Sequence, residues 1–183
     1  MRSLLASTLV LAGSAIAAPA PAPQTCTSDS VAVSEWSVSD FEYHASYVFT
    51  TPAHQNSAGT VNFSLTNAAV PYTAQCFAAS TQLQDFFYGN VPYKCTLPAA
   101  NSADEVTFTF NRASGELKLE HSWNCASENS RFKASGGANV GLKCHEQETK
   151  NDKWQMGQEY SRREISCDRV TLKVPITEKS GVA

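Results

Sequence analysis

Phe41-Glu42-Tyr43-His44-Ala45-Ser46-Tyr47-Val48-Phe49 alternates apolar and mostly polar side chains, position by position. In an extended strand a period of two puts Phe41, Tyr43, Ala45, Tyr47 and Phe49 on one face and Glu42, His44 and Ser46 on the other. The same rhythm recurs through Val61, Phe63 and Leu65, then Val106, Phe108 and Phe110, then Leu117, Leu119, His121 and Trp123. Val140, Leu142 and Cys144 follow, and Val170, Leu172 and Val174 come last. No window longer than about ten residues keeps a helical stripe. Strands that bury one face and wet the other pair antiparallel, and many short ones predict an all-β fold, an antiparallel β-barrel or β-sandwich. Ser57-Ala58-Gly59, Gly89-Asn90, Ser114-Gly115 and Gly136-Gly137 read as turns between them. Asn111 to Gly115 joins two strong strands and predicts a hairpin.

The start of the chain has a different character. Arg2 precedes a short apolar run from Leu4 to Ile16, and Ala15-Ile16-Ala17 is a small-x-small cleavage site. The run is too short to span a bilayer, so residues 1–17 are expected to be a signal peptide and the protein to be extracellular. Residues 18–25 hold Ala-Pro repeats and predict an extended tether. Residues 26–175 then form one all-β domain, with a polar tail at 176–183. Cleavage removes one Arg and no acid, moving the formal net charge from −3 to −4. This mild acidity argues against nucleic acid and against an anionic membrane surface as partners.

Six cysteines follow the cleavage site. An exported chain with an even number is expected to form disulfides, and six allow 15 pairings. Cys76 to Cys95 and Cys125 to Cys144 are equally spaced, which suggests two stapled excursions, Cys76–Cys95 and Cys125–Cys144. That pairing leaves Cys26–Cys167 as a clip between the ends of the domain. No C-x₂₋₄-C spacing supports zinc, and no metal or other cofactor is expected.

No catalytic set assembles from the motifs. The serines lack G-x-S-x-G, and the histidines lack H-E-x-x-H. His121 shares a strand face with Leu119 and Trp123, as a core histidine does. His145 with Glu146 and Glu148 reads as a solvated turn, and so does Asp104-Glu105. One arrangement suits a small hydrolase of the ribonuclease kind: Glu42 and His44 on one strand face, completed by Arg162 or Arg163. An ordinary wet strand face explains the same two residues, and the expectation is a non-catalytic protein.

Two aromatic segments are candidate recognition surfaces. Phe86, Phe87, Tyr88 and Tyr93 lie within the Cys76–Cys95 excursion. Three consecutive aromatics cannot share one strand face, so they plug an end of the fold or expose a binding surface. Trp154, Tyr160, Arg162 and Arg163 combine aromatic and guanidinium groups, as binding hot spots do. Asn62-Phe63-Ser64 is the one N-glycosylation triplet, with Asn62 on the outward strand face.

The order of blocks carries a resemblance. Trp36 to Phe41 comes first, followed by Val61 to Asn67, Ala74-Gln75-Cys76 and Tyr93-Lys94-Cys95. Val106 to Phe110, Gly115 to Leu119, and a late Cys167 before Val170-Thr171-Leu172 complete the series. Over residues 34 to 174 this order resembles the Alternaria major-allergen-like family of small secreted fungal proteins. The resemblance implies an antiparallel β-barrel or sandwich-like fold and no defining enzymatic activity. It further implies an allergen, elicitor or effector that recognises a host protein or a small hydrophobic or phenolic ligand. Members can dimerise through an N-terminal cysteine. Here Cys26 has Cys167 to pair with, so a monomer is expected.

Overall fold

The computed structural model describes residues 25–182. The expected signal peptide and all but the last residue of the expected tether lie outside the described residues. One short helix, α1 (Cys26–Ala32), precedes ten strands: β1 (Glu35–Thr51), β2 (His54–Thr66), β3 (Thr73–Ser80), β4 (Tyr93–Lys94), β5 (Glu105–Asn111), β6 (Glu116–Cys125), β7 (Ser130–Asn139), β8 (Cys144–Lys150), β9 (Ser161–Cys167) and β10 (Val170–Val182). Every pairing between them is antiparallel. The strands run in the order β3-β2-β1-β10-β7-β6-β5-β4, with β9 added to β1 and β8 to β9. The expected all-β class is what the molecule shows, as a nearly closed antiparallel barrel.

Strand β1 organises the rest. Within β1, Trp36 and Val38 are buried at even positions, whereas Phe41, Tyr43, Ala45 and Tyr47 are buried at odd ones. Asp40 is the extra residue that reconciles them. It takes a left-handed conformation (φ 55°), and the register shifts there against both β10 and β2. Aspartate tolerates this region better than most residues, and one added residue returns the alternation to the core face. On one edge of β1 the part before the bulge pairs with β10, and His44 to Phe49 pair with β9.

The barrel closes between β3 and β4. Gln75 and Thr96 exchange backbone hydrogen bonds (2.9 and 2.7 Å), and Cys76–Cys95 bonds across the same seam. Inside, Phe41, Phe63, Phe108, Phe110, Phe87 and Tyr93 pack as a chain of stacked, tilted and edge-on rings with centroids 4.9–6.0 Å apart. Such geometry suits the ring quadrupole and fills the core with large apolar groups.

The other two disulfides differ from the expected pairs. Cys26 bonds to Cys125 and Cys144 to Cys167, in place of Cys125–Cys144 and Cys26–Cys167. All of β7, ten residues long, runs between Cys125 and Cys144, so the two sit at opposite ends of a strand. At about 3.3 Å per residue that separation is roughly 30 Å, far beyond bonding reach. Cys144 instead faces Cys167 across the β8–β9 ladder.

Three local expectations also change. Ser57-Ala58-Gly59 lies inside β2 and Gly136-Gly137 inside β7, while the β1–β2 turn falls at Pro52-Ala53. Both regions use glycine for close approach. A Cβ on Gly59 would sit 2.6 Å from the Phe86 ring, and one on Gly136 would sit 2.1 Å from the Pro175 carbonyl oxygen. Residues 176–182 are strand rather than a frayed tail, because Ile176 to Val182 pair with β7. Asp104 is buried rather than turn-exposed.

Helix α1 closes one end of the barrel. Thr25 and Ser28 form a capping box at its start. The Trp123 indole Nε1–H donates to Ser30 Oγ (2.7 Å). From β10, the Lys179 ammonium donates to the carbonyl oxygens of Ser30, Val31 and Val33 (2.9, 2.6 and 2.7 Å). Those are the helix-end acceptors that no intrahelical donor reaches, and a cation there also suits the helix dipole.

Gly59→Ala is expected to drive its new methyl into the Phe86 ring and destabilise the fold by about 1–3 kcal/mol, a typical overpacking penalty. Urea denaturation of the variant beside the parent checks this. An unchanged midpoint would show that Phe86 does not rest on Gly59.

Candidate functional site

The division of β1 between two partners leaves a cleft of about 580 Å³ on the inner side of the β8–β9–β1–β2 sheet. Tyr43, Tyr47 and Phe49 of β1, Arg163 and Ile165 of β9, and Cys144 and Glu146 of β8 form one wall. Gln84 and Asp85 from the β3–β4 connection, and Arg112 and Ala113 from the β5–β6 turn, form the other. Two guanidinium groups lie over two phenol rings. Arg112 stands 4.9 Å from the Tyr43 ring centre and Arg163 stands 5.1 Å from that of Tyr47. Both distances fall within the cation–π range.

The two arginines differ in one respect. Arg163 donates from Nε and Nη2 to the two carboxylate oxygens of Glu146, the second at 2.7 Å. This hydrogen bond pulls the Glu146 carboxyl below its usual range. Arg112 has no carboxylate partner among the described residues and contacts Cys144 Sγ at 3.5 Å. The phenols remain neutral donors. Burial pushes the Tyr43 hydroxyl up to about 12 and raises that of Tyr47. Tyr47 donates to the Gln84 carbonyl oxygen (2.7 Å), which ties the loop to the strand.

The aromatic segment of the Cys76–Cys95 excursion mostly turns inward. Phe86 and Phe87 are fully buried core residues, so the expected aromatic binding surface is not formed by them. Backbone bonds from Arg112 N to Phe87 O and from Gly89 N to Phe110 O (both 2.8 Å) hold the segment against the end of β5. Tyr93 is half-buried against Phe108, and Tyr88 alone of the four is well exposed.

The second candidate surface is split by the strand period. Arg162 and Arg163 are adjacent on β9 and face opposite sides. Arg163 lines the cleft. Arg162 lies on the outer face and bonds Glu159 (2.7 Å) and Glu164 (2.9 Å). Trp154 and Tyr160 pack edge to face at the tip of the β8–β9 hairpin, with Met156 exposed beside them.

Glu42, His44 and an arginine do not meet in a cleft. Glu42 pairs with Arg169 (3.5 Å), while His44 Nε2 lies 3.0 Å from Glu164 Oε2 on the exposed outer face. Burial works against the Glu164 charge, but the Ser46 hydroxyl, Arg162 and His44 together hold its carboxyl below the usual range. His145 points away from Glu146 and pairs with Asp168. No group of three or more His, Cys, Asp or Glu side chains among the described residues is arranged to hold a metal ion.

A separate polar network is buried between the β2–β3 connection and β6. The Tyr72 hydroxyl donates to Asp104 Oδ2 (2.8 Å), so its oxygen accepts from His121 Nε2–H (3.0 Å). His121 Nδ1 is then the acceptor for the Asn67 amide (3.2 Å). The single phenolic proton thereby sets the neutral Nε2–H tautomer of His121. Burial lowers the imidazole to about 4, and Asp104 opposes that shift only in part.

A nearly closed antiparallel barrel with three disulfides defines a stapled β-barrel protein, and disulfides of this number suggest an extracellular setting. The family described as Alternaria alternata allergen 1 matches residues 38–167, and the chain belongs to that family. No curated protein and no solved structure matches the chain.

His121 gives a pH test. Unfolded histidine takes a proton near pH 6.5, whereas folded His121 does so only near 4. Its contribution is therefore complete above pH 6.5 and is lost as pH falls toward about 4. The expected slope over that window is on the order of 1 kcal/mol per pH unit. Urea midpoints measured across the window should follow it, and His121→Phe should flatten it. An equal slope in the variant would assign the effect elsewhere.

Proposed function

We propose that this member of the family is a secreted, non-catalytic binding protein of the effector or allergen-like kind. Its cleft takes a small aromatic ligand that carries an anionic oxygen. One observation carries the reading: Arg112 faces the cleft over Tyr43 and forms no ion pair among the described residues, although Asp85 and Glu146 line the same cleft. A half-buried guanidinium without a partner is a ready site for a charge-assisted hydrogen bond. The aromatic wall supplies apolar contact, and the neutral Tyr43 hydroxyl supplies a directional donor, that of Tyr47 being engaged by Gln84. A small phenolic acid matches this combination of ring and charge.

A protein partner is the second reading, supported by the exposed Met156 beside Trp154 and Tyr160 at the hairpin tip. Exposed apolar side chains on a stapled hairpin suit a protein contact. The alternative of a ribonuclease-like hydrolase built on Glu42, His44 and an arginine is disfavoured by the position of His44, which meets Glu164 on the open outer face and away from the arginine-lined cleft.

Calorimetric titration with a simple hydroxycinnamic acid and its methyl ester tests the ligand reading. The acid is expected to bind and the ester to bind more weakly. Arg112→Gln is expected to reduce affinity for the acid by about 10- to 100-fold, the effect of losing one hydrogen bond to a charged group. Equal binding of acid and ester, or an unaffected variant, would contradict it.

A further inference from the structure

Asn62 stands at the centre of β2, between Val61 and Phe63, which are buried in the core. Its own side chain is exposed on the outer face of the sheet. Directly across on β1 is Glu42, whose Oε2 accepts from Asn62 Nδ2 at 3.4 Å. Directly across on β3 is Phe77.

Phe77 departs from the plan of its strand. The residues it alternates with, Cys76 and Ala78, are buried, and the other outward positions of β3 are Thr73, Gln75 and Ala79. A phenylalanine that is 61% exposed on an otherwise polar or small-residue face presents its ring to solvent. Nothing among the described residues covers it. Directly opposed residues in an antiparallel pair have Cβ atoms about 4.5–5.5 Å apart. A sugar joined to the Asn62 amide nitrogen therefore begins within reach of this ring. The C–H face of a pyranose is the right shape to cover an aromatic face and remove it from water.

We propose that Asn62 carries an N-linked glycan whose first N-acetylglucosamine lies over Phe77. The proposal rests on export through the secretory route. In the transfer, the Asn62 amide nitrogen attacks the anomeric carbon of a lipid-linked oligosaccharyl diphosphate. The N–C1 bond forms, the C1–O bond to the diphosphate breaks, the amide proton passes to a base of the transferase, and the lipid diphosphate leaves. Ser64, which completes the triplet, lies on the same outer face and in the folded sheet donates to Gln75 Oε1 (3.0 Å). The triplet is free to enter a transferase only before β2 pairs with its neighbours, so modification precedes folding. The finished glycan would cover the outer face around Glu42 and Phe77. The cleft on the inner side would stay open, so partners are directed to that side.

The test uses the full chain, with its own N-terminal residues, expressed in a yeast host. Protein recovered from the medium is mapped by peptide mass spectrometry before and after removal of N-glycans. Asn62 is expected to be occupied, and Asn62→Gln to abolish the modification. Trimming to a single N-acetylglucosamine should keep the unfolding temperature of the glycoprotein. Complete removal should lower it by roughly 2–4 °C, the shift for a modest loss of packing in a chain of this size. In Phe77→Ser the one-sugar and sugar-free forms should unfold together. Secreted protein with unmodified Asn62 would overturn the site. An occupied site with no one-sugar advantage, or an advantage that survives in Phe77→Ser, would overturn the stacking. Retention of the chain inside the cell would overturn the export reading beneath both.

Discussion

Seventeen residues of β1 have to serve three neighbours while keeping one face in the core, and the extra residue at Asp40 is what permits it. Without the bulge, the strand period would send either Trp36 and Val38 or Phe41 and Tyr43 outward. With it, both sets point inward, and one edge of β1 is handed from β10 to β9. The barrel belongs to the first pairing and the cleft to the second. Tyr43 and Tyr47, just beyond the bulge, are the residues over which Arg112 and Arg163 come to lie.

Much of this was legible in the sequence. Alternation identified β1, β2, β5, β6 and the start of β10, with the Asn111–Gly115 hairpin, but the Val140, Leu142 and Cys144 row is loop up to the first residue of β8. Alternation is a local property, and a strand announces its period wherever its partners are. The cysteine pairing was less legible because equal spacing does not mean equal geometry. From Cys76 the chain runs out through the β3–β4 connection and returns to the same end, so Cys95 lies across the seam. From Cys125 an interval of the same length is filled by a whole strand and finishes at the other end. The second half of the terminal strand, from residue 176 on, was read as a tail because its residues are polar. Its pairing depends on a bare Gly136 and a helix-capping Lys179 that only tertiary structure reveals.

The candidate site shows the same limit. Phe86 and Phe87 read either as a plug or as a recognition surface, and they are core, with Phe86 against a glycine that read as a turn. Arg112 sat unremarked in a hairpin turn. No local signal says that this turn ends over Tyr43. Arg163 was singled out together with Arg162, although the strand period alone puts them on opposite faces. Family membership agrees with the scaffold, and the proposed ligand reading rests on the chemistry of the cleft.

The β8–β9 hairpin, stapled at its base and laid along the far half of β1, is the addition that makes the cleft. Peptide mapping of the oxidised protein without reduction tests it most directly. Cys144 is expected to be linked to Cys167, Cys26 to Cys125 and Cys76 to Cys95. A peptide joining Cys125 to Cys144, or Cys26 to Cys167, would contradict the hairpin and the cleft built on it.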